Sequence, residues 1–185
     1  MAQQEPDKRG AKPSDVIHIQ RYHAPCGDLL LGAYGDKLCL CNWVNGMHSE
    51  NVNRRLHRDL QANYRESASE VIQYAAAQLD EYFAGKRTMF DVPLLFTGTD
   101  FQKRVWQQLL EIPYGATVSY AGQAMHLGLP RAVRAVANAN GANAISIFAP
   151  CHRVVGSDNS LTGYGGGLAA KKYLLELEQH YCQQK

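Results

Sequence analysis

Apolar and polar residues alternate along three stretches in the first half of the chain. The stretches 16–22 (VIHIQRY), 28–34 (DLLLGAY) and 37–44 (KLCLCNWV) are rich in β-branched, aromatic and leucine residues, and turn-forming residues separate them. This spacing predicts three strands in an antiparallel meander. Cys39 and Cys41 lie two residues apart in the third strand, so we expect both on one face as small buried side chains.

A helical period follows the predicted strands. It covers residues 66–85 (ESASEVIQYAAAQLDEYFAG), with Ser67 and Ser69 as candidate caps and Gly85 as the expected stop. The next apolar stretch, 90–96 (FDVPLLF), contains an internal proline. That proline predicts an edge strand or an extended linker that closes the first region.

The second half of the chain has the pattern of short helices. An apolar stripe over 99–115 begins beside Asp100, a candidate cap, and stops at a Pro-Tyr-Gly sequence. Two shorter helical patterns, 119–130 and 130–143, meet at a glycine-containing turn, which is the spacing of a helix-turn-helix. Helical hairpins are common core units, so this motif alone is a weak sign of DNA binding. The remaining segments are 144–149, a buried strand or extended run, and 168–181, a final amphipathic helix.

These patterns together predict the fold class. We expect an α/β N-terminal domain, with a small antiparallel sheet plus helices, and then a mostly helical C-terminal domain with a winged-helix-like helix-turn-helix. The polar residues 1–14 are expected to form a disordered tail. The predicted domains are residues 15–95 and 96–182.

Charge is distributed unevenly, although the net charge of +2 is too small to indicate nucleic acid by itself. Residues 112–157 contain no aspartate or glutamate, and their only fixed charges are Arg131, Arg134 and Arg153. Such a gap favours a surface that approaches phosphates, because carboxylates would repel a polyanion. The alternative is that part of this stretch is simply buried.

No apolar run approaches the length needed to cross a bilayer, and the first residues lack the apolar core of a secretory signal. We therefore expect an intracellular protein without a membrane partner, in the cytoplasm of a bacterium or the nucleus of a eukaryote. The five cysteines are odd in number and form no CxxC pair, which indicates reduced thiols. The spacing of His18, His23 and Cys26 matches no common zinc finger, so no metal site is predicted.

The most reactive pair of residue types stands in the segment FAPCHRVVG, where Cys151 precedes His152. A cysteine is nucleophilic as the thiolate, and a neighbouring histidine can take its proton. Adjacent side chains usually diverge outside helices, which favours a bridging water over a direct bond. A carboxylate would fix the histidine tautomer, and Glu176 and Glu178 on the last helix are the candidates. The alternative is a buried structural cysteine beside a histidine that bonds the backbone.

Residues 101–178 resemble the O6-alkylguanine-DNA alkyltransferases, whereas the N-terminal half agrees with them only in layout. PCHRVVG at 150–156 is similar to the active-site motif of the family, and RAVRAVANANGAN is similar to its recognition helix. VSYAGQA and LTGYGGG resemble the segments that supply the active-site tyrosine and the loop over the base.

The resemblance implies a role for each matching residue. Cys151 would accept the alkyl group, Glu178 would be the carboxylate behind His152, and Arg134 would enter the base stack from the minor groove. Gly165 stands where some members have serine, which would leave a backbone N–H for the guanine O6 and room for larger alkyl groups. The implied catalytic residues are Cys151, His152, Glu178, Asn143 and Tyr120; the DNA-binding residues are Arg134, Ala135, Ala132, Tyr120 and Gly141; the substrate-binding residues are Val154, Tyr164 and Gly165.

The implied function is DNA repair by direct reversal of damage. The protein would act as a monomer on double-stranded DNA containing O6-alkylguanine, and also on O4-alkylthymine, without a cofactor. Each molecule would act once, because the product is a stable thioether. The alternatives are a non-enzymatic alkyltransferase-like sensor, which would lack the cysteine; a papain-type hydrolase, whose histidine is distant in sequence; and a transcriptional regulator built on the same module.

Overall fold

The computed structural model describes residues 15–183. The predicted tail, residues 1–14, lies outside these residues. The first half forms a four-stranded sheet in the order β3-β2-β1-β4 with two helices. Its elements are β1 (Val16–Ala24), β2 (Gly27–Tyr34), β3 (Lys37–Trp43), α1 (Ser49–Leu60), β4 (Asn63–Glu66) and α2 (Glu70–Phe83).

The predicted meander is confirmed, because β1 pairs antiparallel with β2, and β2 pairs antiparallel with β3. Cys39 and Cys41 are both fully buried, as predicted. The pattern did not predict α1 or β4, which pairs parallel with β1. The sheet is therefore mixed and not purely antiparallel.

The second half is mostly helical, as predicted. Its first helix is capped by Thr99 in a capping box with Gln102, so the predicted cap Asp100 is wrong by one residue. A glycine-containing turn joins the two helices of the helix-turn-helix. The elements are α3 (Asp100–Leu109), β5 (Val118–Ser119), α4 (Tyr120–His126), α5 (Val133–Gly141), β6 (Val154–Val155) and α6 (Gly167–Cys182).

The segment 144–149 is buried but does not form a strand. It attaches to β3 through one bridge, in which the N–H of Cys41 donates to Ala144 and the N–H of Ser146 donates to Cys41. Ile147 then turns the chain with a φ of 71°, a left-handed conformation that is rare for a β-branched residue. This irregular path carries the backbone from α5 to Cys151.

A single hydrophobic core runs through both halves of the chain. Trp106 of α3 is buried in this core, and its indole N–H donates to the Ala139 carbonyl of α5 at 2.8 Å. Within residues 15–183, we find no helix with the length and apolarity that a membrane span requires.

Candidate active site

Cys151 begins a single 3₁₀ turn, Cys151–Arg153, directly before β6. The cysteine is 8% exposed. Asn143 donates from its amide to the cysteine Sγ at 3.3 Å and to the Ala149 carbonyl at 2.8 Å, while its Oδ1 accepts from the N–H of Ile145 at 2.9 Å. The predicted Asn143 therefore fixes the backbone at two points before the turn and contacts the sulfur itself.

Burial raises the pKa of the Cys151 thiol, and the Asn143 hydrogen bond and the charge of Lys171 only partly offset this effect. A fully buried thiolate is costly because it loses its solvation by water. The raised pKa favours the thiol form, and a nucleophilic role for this cysteine would require a neighbouring group that accepts its proton.

His152 is completely buried and lies against the last helix. Its Nε2 is 2.8 Å from Glu178 Oε1, whereas its Nδ1 has no partner within the described residues. Burial lowers the histidine pKa, and the carboxylate opposes that shift. The structure thus brings Glu178, and not the largely exposed Glu176, to the histidine.

Glu178 accepts hydrogen bonds from several directions besides His152. Arg153 donates from Nε to Oε2 at 2.9 Å and from a terminal nitrogen to Oε1 at 3.0 Å. Tyr82 of α2 donates its hydroxyl to Oε1 at 2.8 Å, and the N–H of Gly115 donates to Oε2 at 3.0 Å. Burial alone would raise the pKa of Glu178, but the bonds and charges of His152 and Arg153 lower it to about 2. The carboxylate is therefore ionised throughout the neutral range.

The opposite side of Cys151 is built largely from backbone groups. Tyr120 donates its hydroxyl to the Thr162 carbonyl at 3.2 Å. The buried Lys171 donates from Nζ to the Val154 carbonyl at 2.6 Å and to the Thr162 carbonyl at 2.8 Å. Burial lowers the pKa of Lys171 to about 8. Lys171 thus ties the strand after the cysteine to the loop over it.

The loop 162–166 rests on the end of β3. The N–H of Met47 donates to the Gly165 carbonyl at 3.3 Å, and the ring of Tyr164 packs edge-on against Trp43 with centroids 5.9 Å apart. A Cβ on Gly166 would lie 2.4 Å from the Trp43 ring, so this position has no room for a side chain. Met47 and Trp43 of the N-terminal half therefore contact Gly165 and Tyr164, two of the predicted substrate-binding residues.

A cavity of about 810 Å³ lies between α1, α5 and the loop 162–165. The predicted residues that line it are Tyr120, Arg134, Gly141, Tyr164 and Gly165.

Two other residues of the predicted DNA-binding set lie near the start of α5. Ala132 is the cap of this helix, and Ala135 is exposed on it. The segment 112–157, which contains no aspartate or glutamate, is only partly buried. Arg131 and Arg134 are exposed, whereas Arg153 is buried against Glu178. The interpretation that part of the segment is buried is therefore confirmed for Arg153, and the phosphate-facing surface stays a prediction.

The sequence did not point to Tyr82, Lys171 or Arg153 as members of the site. Lys171 precedes Glu178 by seven residues, which places both on one helix face, and this spacing could have indicated an inward lysine. Tyr82 belongs to the apolar stripe of α2, and nothing in that stripe identifies its hydroxyl as a donor to Glu178.

Within residues 15–183, no group of three or more histidine, cysteine, aspartate or glutamate residues could hold a metal ion. His18 instead bonds Ser67 at 2.7 Å, and His23 bonds Asp28 at 2.8 Å.

Two protein-family models match the chain. The ribonuclease-like domain of 6-O-methylguanine DNA methyltransferase matches residues 17–96, and the DNA binding domain of the same protein matches residues 100–180. Among curated proteins, a methylated-DNA--protein-cysteine methyltransferase of Mycobacterium tuberculosis is 44% identical over 170 residues, which cover 89% of this chain and 93% of that protein. The constitutive one of Bacillus subtilis is 40% identical, covering 87% and 94%.

Solved structures agree with the sequence matches. The crystal structure of Mycobacterium tuberculosis OGT in complex with DNA has a TM-score of 0.76 and 43% identity, and it covers 89% of this chain and 94% of that one. The O6-methylguanine-DNA methyltransferase of Pyrococcus kodakaraensis has a TM-score of 0.61 at 20% identity, covering 88% and 98%, which shows a shared fold.

Proposed function

The chain belongs to the 6-O-methylguanine DNA methyltransferase family, and from this premise we propose that it repairs DNA by transferring an alkyl group from guanine O6 to its own Cys151. One observation carries the choice of acceptor. Cys151 is the cysteine that adjoins a buried histidine–carboxylate pair, with His152 Nε2 at 2.8 Å from Glu178. Cys26, Cys39, Cys41 and Cys182 are not adjacent to this pair in sequence.

The reaction is a displacement at saturated carbon. The bond from Sγ to the alkyl carbon forms as the bond from that carbon to O6 breaks, and the electron pair of the broken bond stays on guanine. The thiol proton passes to His152, whose positive charge Glu178 stabilises. A water between Sγ and Nδ1 would carry this proton, since Nδ1 has no protein partner in the described chain and can accept it.

Guanine leaves with negative charge, which hydrogen-bond donors in the pocket reduce. Tyr120 is the proposed donor to N3, and its hydroxyl would exchange its bond to the Thr162 carbonyl for the base. The Gly165 N–H is the proposed donor to O6. The Val154 carbonyl already accepts from Lys171, and its second lone pair can accept from the exocyclic amine. The guanine anion takes up one proton from solvent and the His152 cation releases one to solvent, so guanine leaves neutral, His152 returns to its neutral form, and Tyr120 keeps its proton throughout.

The substrate base must leave the helical stack to reach a sulfur that is 8% exposed. We propose that α5 lies in the minor groove and that the exposed Arg134 fills the space the base leaves. Ala132, Ala135 and Gly141 keep this helix slim enough for a close approach to the groove. The same pocket would admit O4-alkylthymine.

We also propose that the boundary between the two domains lies between residues 95 and 96. It is supported by the positions of the two family models, of which one ends at residue 96 and the other begins at residue 100.

Mass spectrometry tests the proposed function. The protein is incubated with a duplex containing one O6-methylguanine, and the intact mass and its peptides are measured. We expect a gain of one methyl group on the peptide that contains Cys151, and one equivalent of repaired DNA per protein. A protein of unchanged mass, or a methyl group on another cysteine, would contradict the proposal.

A further inference from the structure

The N-terminal half forms one wall of the cavity in front of the active site. Met47, His48, Asn51 and Val52 line it at the start of α1, and Arg55 lines it one turn further on. The facing wall is α5, the proposed recognition helix. Part of the surface of this cavity therefore belongs to a helix that the proposed function does not use.

Arg55 carries a buried positive charge at this wall. The residue is 9% exposed, donates to the Ala142 carbonyl at 2.7 Å and stacks over Trp106 at 5.0 Å. Its Nε has no partner in the described chain, although a guanidinium has five N–H donors to satisfy. Burial lowers the pKa of Arg55, and the charge of Asp59 opposes that shift. Within residues 15–183, Asp59 pairs with Arg58, and no carboxylate forms an ion pair with Arg55.

The rim of this wall is polar and close to α5. His48 and Asn51 are exposed, and the exposed Arg54 donates to the Asn51 side chain. His48 Nε2 would lie 3.5 Å from a Cβ on Gly141, so the two helices approach each other at a glycine. The acidic residue of the first turn, Glu50, does not line the cavity. The surface thus presents donors and positive charge, with no carboxylate among its lining residues.

We propose that this wall of α1, formed by His48, Asn51 and Arg55, binds a phosphate of the DNA strand that carries the damaged nucleotide. The inference rests on the proposed function, because an extrahelical base in the pocket leaves its own phosphates at the cavity mouth. A phosphodiester is the ligand that a guanidinium without an ion-pair partner in the described chain and nearby side-chain donors suit. The N-terminal half then takes part in DNA binding directly.

Neutral DNA linkages test this contact. Duplexes with one O6-methylguanine are made with a single methylphosphonate, which has no charge, at each linkage within two nucleotides of the lesion. Binding to the Cys151→Ser protein, which does not repair the DNA, is measured with and without His48→Ala and Asn51→Ala. We expect the double substitution to weaken binding to normal DNA by about tenfold. At one linkage, the methylphosphonate should weaken DNA binding by the Cys151→Ser protein to a similar extent. It should not weaken DNA binding by the double variant any further.

Arg58→Ala is the matched control, because it removes an exposed cation from the same helix outside the cavity. It should keep the full methylphosphonate effect at that linkage. Arg55→Met is the second variant. It should reduce the slope of log Kd against log salt concentration by the amount that about one phosphate contact contributes. Equal methylphosphonate effects with and without the double substitution at every linkage would overturn the inference.

The outcome is separable from a failure of the proposed function. Transfer of the alkyl group from free O6-benzylguanine, which has no phosphate, is measured by mass on the protein with Cys151 intact. If this protein gains the benzyl group while the DNA contacts show no coupling, the inference alone is wrong. If it gains no alkyl group from either the free base or the duplex, the proposed function is wrong as well.

Discussion

The two sides of Cys151 are built by opposite means. Behind it, His152, Arg153 and Glu178 form a buried cluster of side chains in which both carboxylate oxygens accept hydrogen bonds. In front of it, the loop 162–166 offers backbone carbonyls and glycines, and Thr162 and Gly163 are exposed.

This difference follows from what each side has to do. A proton path works only if its donor and acceptor stay in position, and burial in a low dielectric strengthens the bonds that hold them. In the proposed function the opposite side has to admit a nucleotide, and its backbone groups can exchange partners. The comparison predicts that changes behind the sulfur alter the chemistry, whereas changes in front alter which substrates are accepted.

The largest expected effect separates chemistry from recognition completely. Cys151→Ser should transfer no methyl group and still bind the O6-methylguanine duplex, because a hydroxyl has a similar shape and is far harder to deprotonate. Intact mass and a binding titration measure the two properties. Serine at Cys26, Cys39, Cys41 or Cys182 should leave transfer of one methyl group per protein intact. Transfer by the Cys151→Ser protein would overturn the assignment of the acceptor.

Glu178→Gln should slow alkyl transfer by about 100-fold, because the His152 cation loses its carboxylate. It should also destabilise the fold by about 3–5 kcal/mol, since Arg153 stays buried without a counter-charge. Single-turnover rates against pH and urea unfolding measure both effects. Glu176→Gln, at an exposed site on the same helix, is the control. An unchanged rate-versus-pH curve would show that the proton path is assigned wrongly.

Glu178→Gln should also change how the free energy of unfolding depends on pH in acid. The folded-state pKa of Glu178 is lowered from 4.5 to about 2, so its ionised form stabilises the fold above pH 4.5. That contribution is lost as the pH falls from about 4.5 towards 2, and it is on the order of 3 kcal/mol. The unfolding free energy of Glu178→Gln should therefore fall less over this range than that of the unaltered protein. Parallel acid-unfolding curves would contradict the lowered pKa.

Arg134→Ala tests the recognition side, and its effect should depend on the substrate. Repair of a duplex should fall by about tenfold, because the space left in the base stack is no longer filled. Transfer from the free base should keep its rate, because the arginine takes no part in the chemistry. Arg131→Ala removes a neighbouring exposed cation as a control. Equal losses with duplex and free base would refute the proposed role of Arg134.

Gly165→Ser should have the smallest effect. A Cβ at this position would lie 3.8 Å from the nearest Trp43 atom, so a serine fits without moving the loop. We expect methyl transfer to keep its rate and benzyl transfer to slow by about threefold, because the side chain takes up room beside the alkyl group. Competition between methyl and benzyl substrates measures the ratio. If the serine leaves this ratio unchanged, Gly165 does not set the size limit.

The residues behind Cys151 could be predicted only in part from the sequence. The choice between Glu176 and Glu178 came from a resemblance, and the structure gives its physical reason, since Glu178 shares a helix face with Leu174 and Lys171. The hydroxyl of Tyr82 reaches Glu178 across 96 residues, and no local pattern carries such a contact. The sequence and the resemblance therefore indicated Glu178 but not the Tyr82 hydroxyl that donates to it.

Two fold elements were not predictable from periodicity for a definite reason. Of the twelve residues of α1, only Val52, Arg55 and Leu56 are buried, and one of these is an arginine. An apolar stripe this narrow does not stand out from a solvated loop. β4 has the sequence NYRE and exists because β1 offers it a free edge. Both elements depend on tertiary partners.

The hydrogen bonds of Glu178 also set an order for events during synthesis. The ribosome makes the chain from its N-terminus, so the residue that orients His152 is added 26 residues after it. Lys171 arrives on the same last helix, and it fastens Val154 to the loop only when that helix folds. In a nascent chain that already contains Cys151, the histidine–carboxylate pair of the proposed proton path is therefore still incomplete, and it forms only when α6 docks.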